Sequence, residues 1–159
     1  EDDYHEVAQT YKDIISLTIS PFVLPYHEHS YQVTQVIPYL QDLCDADSSK
    51  CYMSEYAELS WANLETIVTD KDESENDFCK KWAKTVSEKF DGVDESEILL
   101  LYNRDKDTHD SDWRVREDWK YAASVGISAT PQAYVNGVLL DSYPTEANDW
   151  KEFLDSLLS

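Results

Sequence analysis

Gly126-Ile127-Ser128-Ala129-Thr130-Pro131-Gln132-Ala133-Tyr134-Val135-Asn136-Gly137-Val138-Leu139-Leu140 is the stretch on which the fold turns. Residues 132–135 predict a short strand. Asn136-Gly137 is the strongest two-residue hairpin signal, because a type I′ turn needs positive φ at both central positions. Residues 138–140 then return as the partner strand. The chain has only three glycines, and two of them, Gly126 and Gly137, flank this segment. In so glycine-poor a chain both positions are expected to need backbone freedom. Pro131 stands where a strand begins, and a proline is tolerated there because no N–H is required.

Downstream, Thr145 is a candidate cap for a last helix with Trp150, Phe153, Leu154, Leu157 and Leu158 on its inner side. Upstream, the pattern is mostly helical. Residues 113–125 carry Val115, Trp119, Ala122 and Ala123 at helical spacing, and 95–102 read as a short helix. Phe78, Cys79, Trp82, Ala83, Val86 and Phe90 make a strong helical face, with Gly92 placed to follow its end. Residues 52–69 form another helical pattern, and the acidic stretch 70–77 a solvated joint or helix start. A helix from about Ser30 carries Val33, Val36, Ile37 and Leu40 on one face, and Pro38 is expected to kink or divide it. Tyr4, Val7, Ala8 and Tyr11 predict a first helix. Between these helices, residues 13–20 read as a strand. Ile14, Ile15, Leu17, Thr18 and Ile19 are mostly β-branched and nearly continuous, as in a strand buried on both faces.

The 159 residues suffice for one domain of ordinary size, and 42% hydrophobic with 13% aromatic content predicts a folded chain. Twenty aromatic residues, eleven of them Tyr, point to a core of large rings with polar handles. The formal net charge is −20. Such a polyanion repels phosphate backbones and anionic membrane faces, which argues against nucleic-acid partners. No apolar run reaches the length of a membrane span, so no membrane insertion is expected. Of the three cysteines, Cys44 and Cys51 flank a polar stretch and are candidates for a local disulfide, which implies an oxidising, secreted or lumenal compartment. Cys79 falls on an apolar helical face, where a buried inert thiol is the default.

The order of elements, with the segment 126–140, resembles the DsbA-like branch of the thioredoxin superfamily. The segment is similar to that branch's "GVxGTPxxxVNG" signature, and residues 21–27, Pro-Phe-Val-Leu-Pro-Tyr-His, resemble its "PFPLPYH" connector. The resemblance implies an α/β fold: a thioredoxin-like sheet with an inserted helical subdomain at about 30–125, all within one domain over 1–159. It implies that Pro131 is a cis-proline and that Thr130 faces an extended peptide. It also places the connector residues Pro25, Tyr26 and His27 in a surface for polypeptide or a partner subunit.

The family's dithiol does not come with it, because the sequence has no CxxC. The first residues match the late part of the family's first helix, so its first strand is expected to be missing from this chain. That strand would lie between the residue-14 strand and the residue-132 strand, whose backbone groups would otherwise lack partners. Three arrangements stay open: a longer natural protein, a strand supplied by another chain, or a rearranged sheet. A competing alignment makes 13–20 the first strand and sets Leu24-Pro25-Tyr26-His27 at the dithiol position.

The functional expectation is a non-catalytic binding or assembly module for extended polypeptide. The rivals are a thiol–disulfide oxidoreductase with its CxxC in a preceding segment, and a structural subunit of a larger assembly. No catalytic residue, cofactor or metal site is expected. His27 and His29 lack further ligands at metal spacing, and the acids around 104–112 lack the central Gly and closing Glu of an EF-hand loop.

Overall fold

The computed structural model describes residues 2–159, with side chains from Tyr4 onward. It divides into two compact units, Glu1–Ser20 with Ile127–Ser159 (unit 1) and Pro21–Gly126 (unit 2). Helices take up 58% of the chain and strands 3%, so the expected thioredoxin-like α/β sheet is not formed. Among the described residues the only sheet is a two-stranded antiparallel hairpin.

In unit 1, α1 (Asp2–Thr10) packs against α9 (Ala147–Leu158), and β1 (Tyr134–Val135) pairs with β2 (Val138–Leu139). Val7 of α1 and Tyr11, just after it, meet Ala147, Trp150 and Leu154 of α9 in one buried cluster. The spacing of those three α9 residues sets them on one helical face. Tyr11 Oη donates to Asp155 Oδ1 at 2.7 Å, fixing the two helices at their far ends. The Asn136-Gly137 turn has positive φ at both residues (49° and 81°), as its sequence demands. Leu140 N donates to Ala133 O at 2.9 Å and extends the ladder by one bond. Glu146, not Thr145, occupies the N-cap position of α9, and its side chain makes no capping hydrogen bond.

The strand expected at residues 13–20 is absent. A turn covers residues 11–14, and residues 15–20 are irregular. The β-branched run supplies strand propensity, but a strand needs a neighbour, and none is paired here.

Unit 2 is helical throughout. Its elements are α2 (Ser30–Thr34), α3 (Val36–Ala46), a 3-10 turn (Ser48–Lys50), α4 (Met53–Ala62), α5 (Leu64–Thr69), α6 (Glu75–Lys89), α7 (Glu95–Leu101) and α8 (Ser111–Ser124). Pro38 falls in the first turn of α3, where its missing N–H costs nothing, and the helix is divided just before it, at Gln35. Ser74 caps α6 by accepting from Asp77 N at 3.2 Å, and Asp94 caps α7 by accepting from Ser96 N at 2.7 Å. The core gathers Leu40, Tyr56, Phe78, Trp82, Val86, Phe90, Ile98 and Leu101 with others. Trp82 Nε1 donates to Tyr56 Oη at 2.9 Å, and Tyr56 Oη donates to Val33 O at 2.6 Å. This buried chain satisfies both polar handles. Cys44 and Cys51 are joined in a disulfide that links α3 to the start of α4.

Candidate functional site

The segment 14–20 is the feature that the local packing leaves unfinished. Ile14, Leu17 and Ile19 are 62%, 44% and 74% exposed. Ile14 N and Ile15 N both donate to Tyr11 O, which closes the turn after α1. Beyond it, residues 16–20 make no hydrogen bond to any described residue. Ile15 alone turns inward and joins the α1–α9 cluster, where Ala133, Val135, Leu140 and Tyr143 also pack. The segment and the hairpin therefore lie on one apolar cluster without pairing with each other.

The hairpin is open as well. β2 has β1 on one side and no strand on the other among the described residues. Val138 and Leu139 are exposed. Trp150 adds a third sign of incompleteness: its ring is 9% exposed, and its Nε1 has no hydrogen-bond partner among the described residues. A buried donor without an acceptor costs roughly 1–3 kcal/mol.

Thr130 and Pro131 belong to this unit, are exposed, and are joined by a cis peptide bond. Tyr143 Oη donates to Pro131 O at 3.4 Å, and Ser128 N donates to Gln132 Oε1 at 3.3 Å. Pro25, Tyr26 and His27 belong to unit 2. Pro25 and Tyr26 are exposed, and His27 N donates to Leu24 O at 3.1 Å. The two sets of expected binding residues thus lie in different units.

Unit 2 has buried polar atoms without hydrogen-bond partners among the described residues at His29 Nδ1, Gln32 Oε1 and Tyr102 Oη, but Arg104 and Arg114 are paired with Asp112 and Asp42. His29 is buried, its ring stacks on Phe78 at 4.1 Å, and its Nε2 lies 3.0 Å from Asp70 O. That is a packing role. Arg114 is held by Asp42 Oδ1 at 2.8 Å and Gln41 Oε1 at 2.9 Å, and His109 Nδ1 lies 2.6 Å from Asp42 Oδ2. Burial pushes the Asp42 carboxyl up, but hydrogen bonds from His109 and Arg114 outweigh it and hold the group below its ordinary value. Cys79 is a free, buried cysteine; burial above all, with Glu75 nearby, pushes its thiol up to about 12. It is therefore protonated and inert at neutral pH. No group of three or more His, Cys, Asp or Glu residues stands at metal-holding distance among the described residues. Nor does any described helix have the length and apolarity to cross a membrane.

Sequence reasoning singled out Thr130 and Pro131 but missed residues 14–20 as a site, because the apolar run read as an interior strand. It placed Trp150 on an inner helix face but had no means of seeing that its N–H would lack an acceptor. No family model matches the chain, and no similar curated protein or solved structure was found.

Proposed function

We propose that unit 1 binds polypeptide, taking up an extended segment of another protein by strand addition along residues 14–20. The observation that carries this is the run 16–20, which has no backbone hydrogen bond among the described residues and includes or adjoins exposed Ile14, Leu17 and Ile19. An incoming strand would pair with these backbone groups, cover the apolar side chains, and become ordered with them. The orphan N–H of Trp150 in the neighbouring cluster is consistent with a surface that lacks one layer.

The resemblance of residues 126–140 and 21–27 to DsbA-like proteins supports the same class of ligand. The raised, buried thiol of Cys79 does not support thiol exchange at that cysteine. The Cys44–Cys51 disulfide supports an oxidising compartment, either secreted or lumenal.

Amide hydrogen exchange tests the proposal. The probe is a soluble peptide of about ten residues with alternating Val and Thr, the length of a long strand. The amides of residues 16–20 should exchange without protection in the free protein and become protected when the peptide is added. Unchanged exchange at saturating peptide would remove the site. A Leu17→Pro variant, which loses one ladder N–H, should weaken binding about tenfold.

A further inference from the structure

The charge around the open segment identifies the kind of polypeptide it fits. Unit 1 contains ten acidic residues against Lys12 and Lys151. Lys151 is already taken, because its Nζ pairs with Glu6. Asp13 stands at the start of the 14–20 segment, and Asp141 follows the hairpin at Leu140. Both are exposed, and neither has a hydrogen bond or ion pair among the described residues. The carboxylates of Glu146, Asp149 and Glu152 are likewise exposed and have no ion pair or side-chain hydrogen bond among the described residues. Leu17 and Ile19, two residues apart and so on one face of an extended segment, form an apolar stripe in a unit rich in carboxylates, with Asp13 at the start of the segment.

We infer that the occupant is a cationic extended segment of a partner protein, with apolar residues at alternate positions and Lys or Arg between them. This rests on the strand-addition reading above. In a paired strand, successive side chains point to opposite faces, so one face can cover the apolar stripe while the other carries charge. The negative field of the unit steers such a segment in and repels acidic ones. Exposed charge pairs are individually weak, so several must act together to give a measurable preference.

Three peptides of equal length separate this inference from the reading beneath it. The neutral one alternates Val with Thr; in the second Lys replaces Thr, and in the third Glu does. Affinity is read by calorimetry at low salt and again at about 0.5 M salt, where exposed charges are largely screened. The Lys peptide should bind about tenfold more tightly than the neutral one, and the Glu peptide about tenfold more weakly, with both differences collapsing at high salt. Equal binding of all three would overturn the cationic preference while leaving strand addition standing. Failure of the neutral peptide to protect residues 16–20 would instead overturn strand addition. A double variant, Asp13→Asn with Asp141→Asn, should narrow the gap between the Lys and Glu peptides. An unchanged gap counts against these two carboxylates as its source.

Discussion

Unit 2 and unit 1 solve the same problem to different degrees. Among the described residues, unit 2 gathers fourteen buried hydrophobic residues in one cluster and unit 1 gathers five. In unit 2 the rings of Trp82 and Tyr56 are joined through their polar ends to Val33 O, although Tyr102 Oη and His29 Nδ1 are buried without a partner among the described residues. In unit 1 the buried indole of Trp150 meets no acceptor, and three aliphatic side chains between residues 14 and 19 stay in water. A helix satisfies its backbone within itself, whereas a strand depends on a neighbour. A helical unit can therefore be complete alone, and one with strand-like segments can be left waiting for its partner.

The largest test of that contrast is Trp82→Ala. It removes a ring stacked on Phe78 at 5.9 Å and breaks the bond to Tyr56. Urea unfolding should show a loss of about 4 kcal/mol from unit 2. Reduction of Cys44–Cys51 comes next. The sequence separation of 7 closes a short loop, for which chain entropy gives about 2–3 kcal/mol. The urea midpoint of unit 2 should fall with reductant, and hydrogen exchange in α1 and α9 should stay as it was. Paired Trp→Phe substitutions sharpen the comparison further. Trp82→Phe deletes a satisfied donor and should cost about 1–2 kcal/mol more than Trp150→Phe, which deletes an unsatisfied one. Equal costs would mean that Trp150 is not short of an acceptor.

A fourth test uses pH. Asp42 is held below its ordinary value of 3.8 by His109 and Arg114 once their hydrogen bonds have outweighed burial. A depressed carboxyl contributes stability above its unfolded pKa and loses it as pH falls through the folded value. Unit 2 should therefore weaken as pH drops below about 4, and Asp42→Asn should flatten that part of the profile. The smallest effect is expected at Ile19→Ser. At 74% exposure this side chain contributes little to the free fold, so stability should change by less than about 0.5 kcal/mol. Affinity for the neutral peptide should fall several-fold. If stability falls instead, the residue packs in the free protein and the surface is not open.

Much of the helical architecture was legible in advance. The periodicities of α1, α6 and α9, the division before Pro38 and the Asn136-Gly137 turn all depend on local chemistry that residue type and spacing report directly. So does the disulfide across a short polar loop. The sheet was not legible. Residues 14–19 have the composition of an interior strand, but composition records a preference and cannot say whether a neighbour is present. The expected binding residues are distributed over two units. Pro25, Tyr26 and His27 were grouped with Thr130 and Pro131 by resemblance to a family sheet, and they lie in a different unit. The unpartnered N–H of Trp150 depends on what surrounds it in space, which no local pattern encodes.

The interruption of unit 1 by residues 21–126 has a consequence during synthesis. Tyr11 must wait for Asp155, 144 positions later, before it finds its hydrogen-bond partner. At ribosomal speeds of about 5–20 residues per second, the amino-terminal helix emerges roughly 7–30 s before the carboxy-terminal helix can cover it. The intervening helices have local contacts and can condense in the meantime, shortening the effective tether between the two halves. For that interval the nascent chain presents the uncovered face of Val7 and Tyr11 to its surroundings, so a folding helper that captures such faces should matter for making this protein.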